Sequence, residues 1–123
     1  MGNLQIMPIL ELQSLTTTST EYQEIAKYQP KPNRLGKIRE FSVMSNTASK
    51  GVIKIVIDRD TKLNDFTIIP ANTWHDFKFG DDLQFDGNSR YCDGVIIYGR
   101  SSDGTSVVIT CKITGIEEEV KNE

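Results

Sequence analysis

The chain has 123 residues, 14 of them basic and 17 acidic, with a formal net charge of −3. This length fits a single domain with one hydrophobic core. The charge is too small to indicate a polyanionic partner, so nucleic acid binding is not expected. No apolar run approaches the roughly 18 residues that a membrane-spanning helix needs, and residues 1–10 lack the basic start of a secretory signal. We therefore expect neither a membrane span nor a signal peptide.

The N-terminal segment, residues 1–18, is predicted to form an apolar arm followed by the first strand. Leu4, Ile6 and Ile9 lie in the arm, and alternating apolar residues from Leu10 to Thr17 indicate the strand. An exposed apolar arm needs a cover. The arm could be covered in two ways: it packs on its own domain, or it adds a strand to the sheet edge of a neighbouring subunit. Leu4, Ile6 and Ile9 are therefore candidate interface residues.

The next two segments also alternate with period two. Tyr22 to Tyr28 is predicted to be a strand, although Thr20 could instead cap two helical turns from Glu21 onward. Lys37 to Ser45 is predicted to be a strand in which a step in the apolar spacing indicates a bulge.

A locally basic stretch runs from residue 27 to residue 39 and supplies three more candidate interface residues, Lys31, Arg34 and Lys37. Such a stretch can contact phosphates or an acidic protein surface, or remain a solvated loop. Acidic segments elsewhere in the chain would complement it. Opposed patches of this kind suit head-to-tail packing between identical subunits.

The middle of the chain contains the clearest strand, Val52 to Asp58, whose isoleucines share one face. Turn residues follow it, and weaker strands are predicted at Phe66–Ile69, at Trp74–Phe79 and at Leu83–Phe85. The three carboxylates Asp58, Asp60 and Asp65 could hold Ca²⁺, but the spacing of an EF-hand loop is missing. A solvated turn is the preferred interpretation.

The C-terminal third predicts a hairpin. Gly94 to Arg100 and Thr105 to Ile113 are apolar runs joined by a turn that contains Asp-Gly, a strong hairpin signal. In that hairpin Cys92 and Cys111 would be diagonal neighbours, too far apart for a disulfide. We therefore expect two buried free thiols. Residues 117–123 are predicted to form an acidic tail.

About eight short strands separated by turn residues predict an all-β fold, an antiparallel β-sandwich of jelly-roll type, with the sandwich domain at residues 19–116. Catalysis is not expected. His75 and Asp76 are adjacent strand residues, so their side chains would point to opposite faces. One histidine and two separated cysteines cannot make a zinc site alone. No catalytic, cofactor or metal residues are therefore predicted.

Carbohydrate binding is the alternative function that the aromatic residues suggest. Trp74 and Tyr98 could stack on a sugar ring. Small β-sandwich domains often bind carbohydrates, but that inference rests on fold-level analogy. The competing interpretation places Trp74 in the hydrophobic core together with Phe77, Phe79 and Phe85.

The stretch from Leu35 to Ile116 resembles small bacteriophage virion proteins. The segments that carry the resemblance are Ser42–Asn46, Val52–Asp58, Ile69–Trp74, Asp103–Val107 and Ile113–Gly115. The resemblance implies a β-sandwich that decorates a capsid or belongs to a head fibre or tail. It also implies homo-oligomers, contacts with capsid or tail proteins, and a location in the virion. We take a structural virion component as the leading hypothesis.

Overall fold

The computed structural model describes residues 6–89 and 94–120, and the side chains of residues 79–82 are outside this description. Leu4 and Cys92, and the Phe79 side chain, therefore lie outside the described part. The described residues contain no helix and eight strands. These are β1 (Ile6–Thr17), β2 (Gln23–Tyr28), β3 (Arg34–Ser45), β4 (Gly51–Ile57), β5 (Asp60–Ile68), β6 (His75–Asp86), β7 (Val95–Ser101) and β8 (Val107–Glu119).

The strands form two four-stranded sheets in which every neighbouring pair is antiparallel. Sheet 1 has the order β1-β8-β3-β6, and sheet 2 has the order β2-β7-β4-β5. The predicted all-β antiparallel sandwich is confirmed. Four of the strands are 12 or 13 residues long, longer than the segments that the sequence indicated.

The N-terminal strand pairs with its own domain. β1 is an edge strand of sheet 1, and its pairing with β8 runs from Ile6 opposite Glu118 to Thr17 opposite Val107. The backbone groups that face β8 are therefore already used within the chain. Over the described residues, this strand therefore packs on its own domain.

Two local predictions about the first half are settled by the pairing. Gln23–Tyr28 is a strand, so the helical alternative is wrong. The bulge in β3 is confirmed by register shifts between Ile38 and Glu40 toward both neighbouring strands. On β8, Gly115 lies opposite Ile38, where the two backbones approach closely.

The hairpin predicted at the Asp-Gly turn is wrong. β7 pairs with β2 and β4 in sheet 2, whereas β8 pairs with β1 and β3 in sheet 1. Both strands are central in their sheets, so each already has two partners. The segment at residues 102–106 therefore connects the two sheets, and the predicted arrangement of Cys92 relative to Cys111 lies outside the described residues.

A short hairpin is present instead between β4 and β5. Ile57 lies opposite Asp60, and the two residues between them, Asp58 and Arg59, have φ values of 46° and 74°. Two central residues at positive φ follow the type I′ pattern, whose twist matches that of the flanking strands. The Asp58 carboxylate also accepts a hydrogen bond of 2.9 Å from the Gly94 amide.

Glu117 to Glu119 belong to β8, where the sequence analysis placed the start of an acidic tail. Glu117 is 8% exposed. Its carboxylate accepts a hydrogen bond of 2.7 Å from the Tyr28 hydroxyl and one of 3.1 Å from the Arg34 guanidinium. These two donors compensate the burial of a charge that would otherwise be costly.

The hydrophobic core lies between the two sheets. Its largest fully buried side chains come from both sheets and include Phe41, Phe85, Ile38, Ile53, Ile97, Ile109 and Ile113. The isoleucines predicted to share one face of β4 face this core, because Ile53 and Ile55 are 0% and 3% exposed and the partly buried Ile57 packs against it.

Cys111 is a free, fully buried thiol in this core, and burial raises its pKa to about 12. The thiolate is the reactive form, so we expect negligible alkylation of Cys111 by iodoacetamide at pH 7.5 in the folded chain and rapid alkylation in 6 M guanidinium. Peptide mass mapping separates Cys111 from Cys92. Rapid modification of Cys111 under native conditions would contradict its position in the core.

Candidate interaction surface

The outer face of β1 carries an exposed apolar stripe made of Ile6, Pro8, Leu10 and Leu12. Ile6, Leu10 and Leu12 are 63%, 64% and 54% exposed. Side chains alternate between the two faces of a strand, so these even-numbered residues point away from the core while Ile9 points into it. We call these four residues the β1 stripe.

The neighbouring strand extends the apolar surface only slightly. On β8 the half-buried Ile116 lies opposite Pro8, whereas Thr114 and Lys112 lie opposite Leu10 and Leu12. The outer face of sheet 1 is therefore apolar along one edge and polar beyond it. An apolar patch with a polar border is typical of interaction sites.

β1 is also the least charged of the four edge strands. Its only charged residue is Glu11, whereas the shorter edge strands β2 and β5 carry two and three charged residues, and β6 carries five in addition to His75. Charges on edge strands usually prevent uncontrolled pairing with other chains. Pro8 gives β1 one such protection, because proline has no backbone N–H to donate.

The predicted arm residues have different positions. Ile6 is exposed in the β1 stripe, whereas Ile9 is 6% exposed and belongs to the core. Leu4 lies outside the described residues. Ile9 is therefore buried within its own domain, whereas Leu10 and Leu12 on the other face of the strand are exposed. The alternation was visible in the sequence, but both faces of this strand are apolar, so the pattern did not say which face is buried.

Two of the three basic candidate interface residues form ion pairs within the fold. Lys31 is exposed in the connection between β2 and β3. Arg34 forms an ion pair of 3.1 Å with Glu117, and Lys37 forms one of 3.1 Å with Glu118. The pairing of β3 with β8 brings these charges together. Arg34 and Lys37 therefore hold the two strands together at their ends.

The two candidate glycan-binding residues lie on opposite sides of the molecule. Trp74 is 38% exposed next to sheet 1, and the Lys112 ammonium lies 4.9 Å from its ring centroid. Tyr98 is half-buried on the outer face of sheet 2, with the Lys54 ammonium 4.8 Å from its ring. The core placement considered for Trp74 is therefore wrong, although Phe85 is buried. The two rings cannot contact the same sugar.

The outer face of sheet 2 holds a polar cluster that the sequence analysis did not identify. Tyr22 lies across this face, with the Lys54 ammonium 4.7 Å and the Arg100 guanidinium 5.3 Å from its ring centroid. Its hydroxyl donates a hydrogen bond to the Asp65 carboxylate. Burial, followed by this hydrogen bond, raises the pKa of Tyr22, and the same bond lowers the pKa of Asp65.

We expect Tyr22→Phe to raise the pKa of Asp65 toward its ordinary value, because the hydroxyl that stabilises the carboxylate is lost. A carboxylate with a lowered pKa stabilises the fold above its unfolded-state pKa, and this contribution disappears as the pH falls through the folded-state pKa. Carbon-detected NMR titration of the carboxyl group measures the change. Tyr98→Phe is the control, and an unchanged Asp65 pKa in Tyr22→Phe would contradict the assignment.

His75 has no described catalytic partner. Its ring contacts Phe66 edge-on at 5.7 Å, and its Nε2 is buried without a hydrogen bond among the residues described. Asp76, on the opposite face of the strand, lies 2.8 Å from the Ser42 hydroxyl, which is also 2.8 Å from the Glu40 carboxylate and can donate its one proton to either. Within residues 6–89 and 94–120, no group of three or more histidine, cysteine, aspartate or glutamate side chains is arranged to hold a metal ion.

No helix that could cross a lipid bilayer occurs in the described part of the chain. No protein-family model matches the sequence, and no curated protein matches it.

Several solved structures have a fold similar to that of this chain, at low sequence identity. One is from the Bacillus endospore appendages, described as a family of disulfide-linked pili, with 12% identity, a TM-score of 0.54, and coverage of 98% of this chain and 93% of that one. A second is a nora virus structure, with 10% identity and a TM-score of 0.54. That match covers 100% of this chain and 63% of the nora virus chain. These similarities identify the fold as a jelly-roll-like β-sandwich.

Proposed function

We propose that this protein is a non-enzymatic structural subunit of a virus particle, a capsid-decorating or tail-associated module that associates with itself and with other virion proteins. The exposed β1 stripe is the observation that carries the proposal. The fold similarity to a virus structure and to a pilus subunit supports it, since both of those proteins belong to assemblies. The proposed location is the virion.

Contact through the face of β1 is favoured over addition of a strand at its edge. One side of the β1 backbone already pairs with β8, and Pro8 cannot donate a hydrogen bond on either side. The outer face, in contrast, offers Ile6, Leu10 and Leu12 without any rearrangement. Full burial of one such side chain contributes about 1.5–3 kcal/mol, so these partly exposed side chains would contribute about 1–2 kcal/mol each.

The β1 stripe alone is small for a stable interface, which typically covers about 800 Å² on each partner. Association through it therefore gains strength when many copies bind a symmetric particle, because each additional contact forms within an existing assembly. This explains how a modest apolar surface could serve a structural subunit.

Mass spectrometry of particles purified from the producing cells tests the proposed role. We expect this chain in the purified particles at a constant ratio to the major capsid or tail protein. Its presence only in the unassembled protein fraction would contradict the proposal.

Carbohydrate binding is the second candidate, favoured only by the exposed Trp74 ring. A glycan array with the wild-type chain and with Trp74→Ala tests it. Binding that Trp74→Ala abolishes would support this function, and an array without signal would remove it.

A further inference from the structure

The sandwich is closed along one side and open along the other. On the closed side, β1 packs against β2, and the Thr17 hydroxyl donates a 2.7 Å hydrogen bond to the Gln23 side-chain oxygen. On the other side, the edge strands β5 and β6 are bridged by Phe66 and Phe77, whose ring centroids are 5.4 Å apart. Next to this aromatic pair lies a cleft of about 340 Å³.

The cleft reaches from the surface to the core. Phe41 and Ile55 lie beneath its floor, since they are only 0% and 3% exposed. The remaining lining residues are Ile57, Leu63 and Phe77 on the walls, with Lys62 and Lys78 as the two charged members. The volume is near the lower end of the range for small-molecule sites, which are mostly apolar with a few polar groups.

The two lysines are available to an external anion. Lys62 lies 3.8 Å from the Asp60 carboxylate, and both side chains are more than half exposed, so this ion pair is weak. Lys78 is exposed and has no ion pair to a described residue. Its cross-strand neighbour is Glu40, whose carboxylate shares the single Ser42 hydroxyl proton with Asp76.

We propose that this cleft binds a free medium-chain aliphatic carboxylate. The alkyl chain contacts Ile57, Leu63 and Phe77, and the carboxylate lies between the ammonium groups of Lys62 and Lys78. At roughly 30 Å³ for each water-sized group, the cleft holds on the order of ten non-hydrogen atoms, which fits six to ten carbons. The site lies on the opposite edge of sheet 1 from the β1 stripe and does not depend on the proposed assembly role.

Octanoate is the probe, titrated into the whole chain while the methyl groups of Ile55, Ile57 and Leu63 are followed by NMR. We expect saturable shifts of these methyl signals. Hexanoate, shorter by two methylenes, should bind about tenfold more weakly, because each buried methylene is worth roughly three- to fourfold in affinity. Octyltrimethylammonium, with a similar chain and the opposite charge, should leave the cleft signals unchanged.

Lys62→Gln/Lys78→Gln tests the charge recognition. We expect this double variant to bind octanoate at least tenfold more weakly and to bind octanol as the wild type does. Lys27→Gln, an exposed lysine on sheet 2, is the matched control. Equal binding of octanoate and octyltrimethylammonium, shifts confined to Leu10 and Leu12, or the absence of cleft shifts would each overturn the proposal.

Discussion

Phe41→Ala is expected to lower the free energy of unfolding by about 3–5 kcal/mol, the usual cost of deleting a buried phenylalanine side chain. Phe41 is fully buried on the central strand β3, between Phe77 on β6 and Ile113 on β8. Its removal leaves a cavity at the floor of the cleft, between two sheets that cannot collapse without breaking their pairing. Urea denaturation followed by far-UV circular dichroism measures the loss.

Two variants set the scale for this result. Phe41→Leu keeps most of the apolar volume and should cost about 1–2 kcal/mol. Leu12→Ala removes a side chain that is 54% exposed, so the unfolding free energy of the monomer should change by no more than about 0.5 kcal/mol. Similar losses for Phe41→Ala and Leu12→Ala would mean that the two faces of sheet 1 are assigned wrongly.

Gly115→Ala is expected to destabilise the fold by about 3 kcal/mol, at the top of the usual range for overpacked sites. A Cβ atom at this position would lie 2.0 Å from the Lys37 carbonyl oxygen and 2.9 Å from the Ile38 Cα. Both obstacles are backbone atoms at the bulge of β3, so a side-chain rotation cannot relieve the clash. The two central strands of sheet 1 must move apart instead.

Thr114→Ala is the matched control, one residue earlier on the same strand. Thr114 is half-buried on the outer face, and its hydroxyl makes only a 3.5 Å hydrogen bond to the Glu40 carbonyl oxygen. We expect a loss below about 1 kcal/mol. If Gly115→Ala were as stable as Thr114→Ala in urea denaturation, the close approach of β3 and β8 at the bulge would be refuted.

The positions of the strands could be predicted from the sequence because period-two alternation is a local property. The bulge between Ile38 and Glu40 was also visible as a step in the apolar spacing. The sequence did not show which face of β1 is buried. Ile9 on one face and Leu10 and Leu12 on the other are all large and apolar, and only packing against sheet 2 decides which of them is buried.

Sheet membership could not be predicted from local signals. The Asp-Gly segment after β7 indicated a break between two strands, which is present, but a turn does not specify the pairing partner. β7 and β8 each obtain two partners from distant parts of the sequence and therefore lie in different sheets. Consecutive strands such as β7 and β8 therefore lie in different sheets, and this arrangement depends on contacts between residues that are far apart in the sequence.

The pairing of the charged residues could not be predicted from local sequence signals either. Arg34 and Lys37 were candidate interface residues in a stretch that could also be a solvated loop, and Glu117 was predicted to begin an acidic tail. The pairing of β3 with β8 instead joins Arg34 to Glu117 and Lys37 to Glu118. Residues more than 80 positions apart became neighbours through strand register, which composition and local patterning do not reveal.

Leu10→Glu/Leu12→Glu tests the proposal that the outer face of β1 is an assembly surface. Sedimentation velocity compares this double variant with the wild type and with Thr16→Glu, an exposed position on the same face of the same strand. Far-UV circular dichroism checks that all three chains are folded.

We expect the wild type and Thr16→Glu to self-associate as their concentration rises. The double variant should sediment as a monomer over the same range, because its affinity for a second copy is weakened by at least 30-fold. That factor corresponds to about 2 kcal/mol of lost apolar burial from two leucines. Unchanged association of the double variant, or a wild type that stays monomeric at every concentration, would contradict the assignment of this surface.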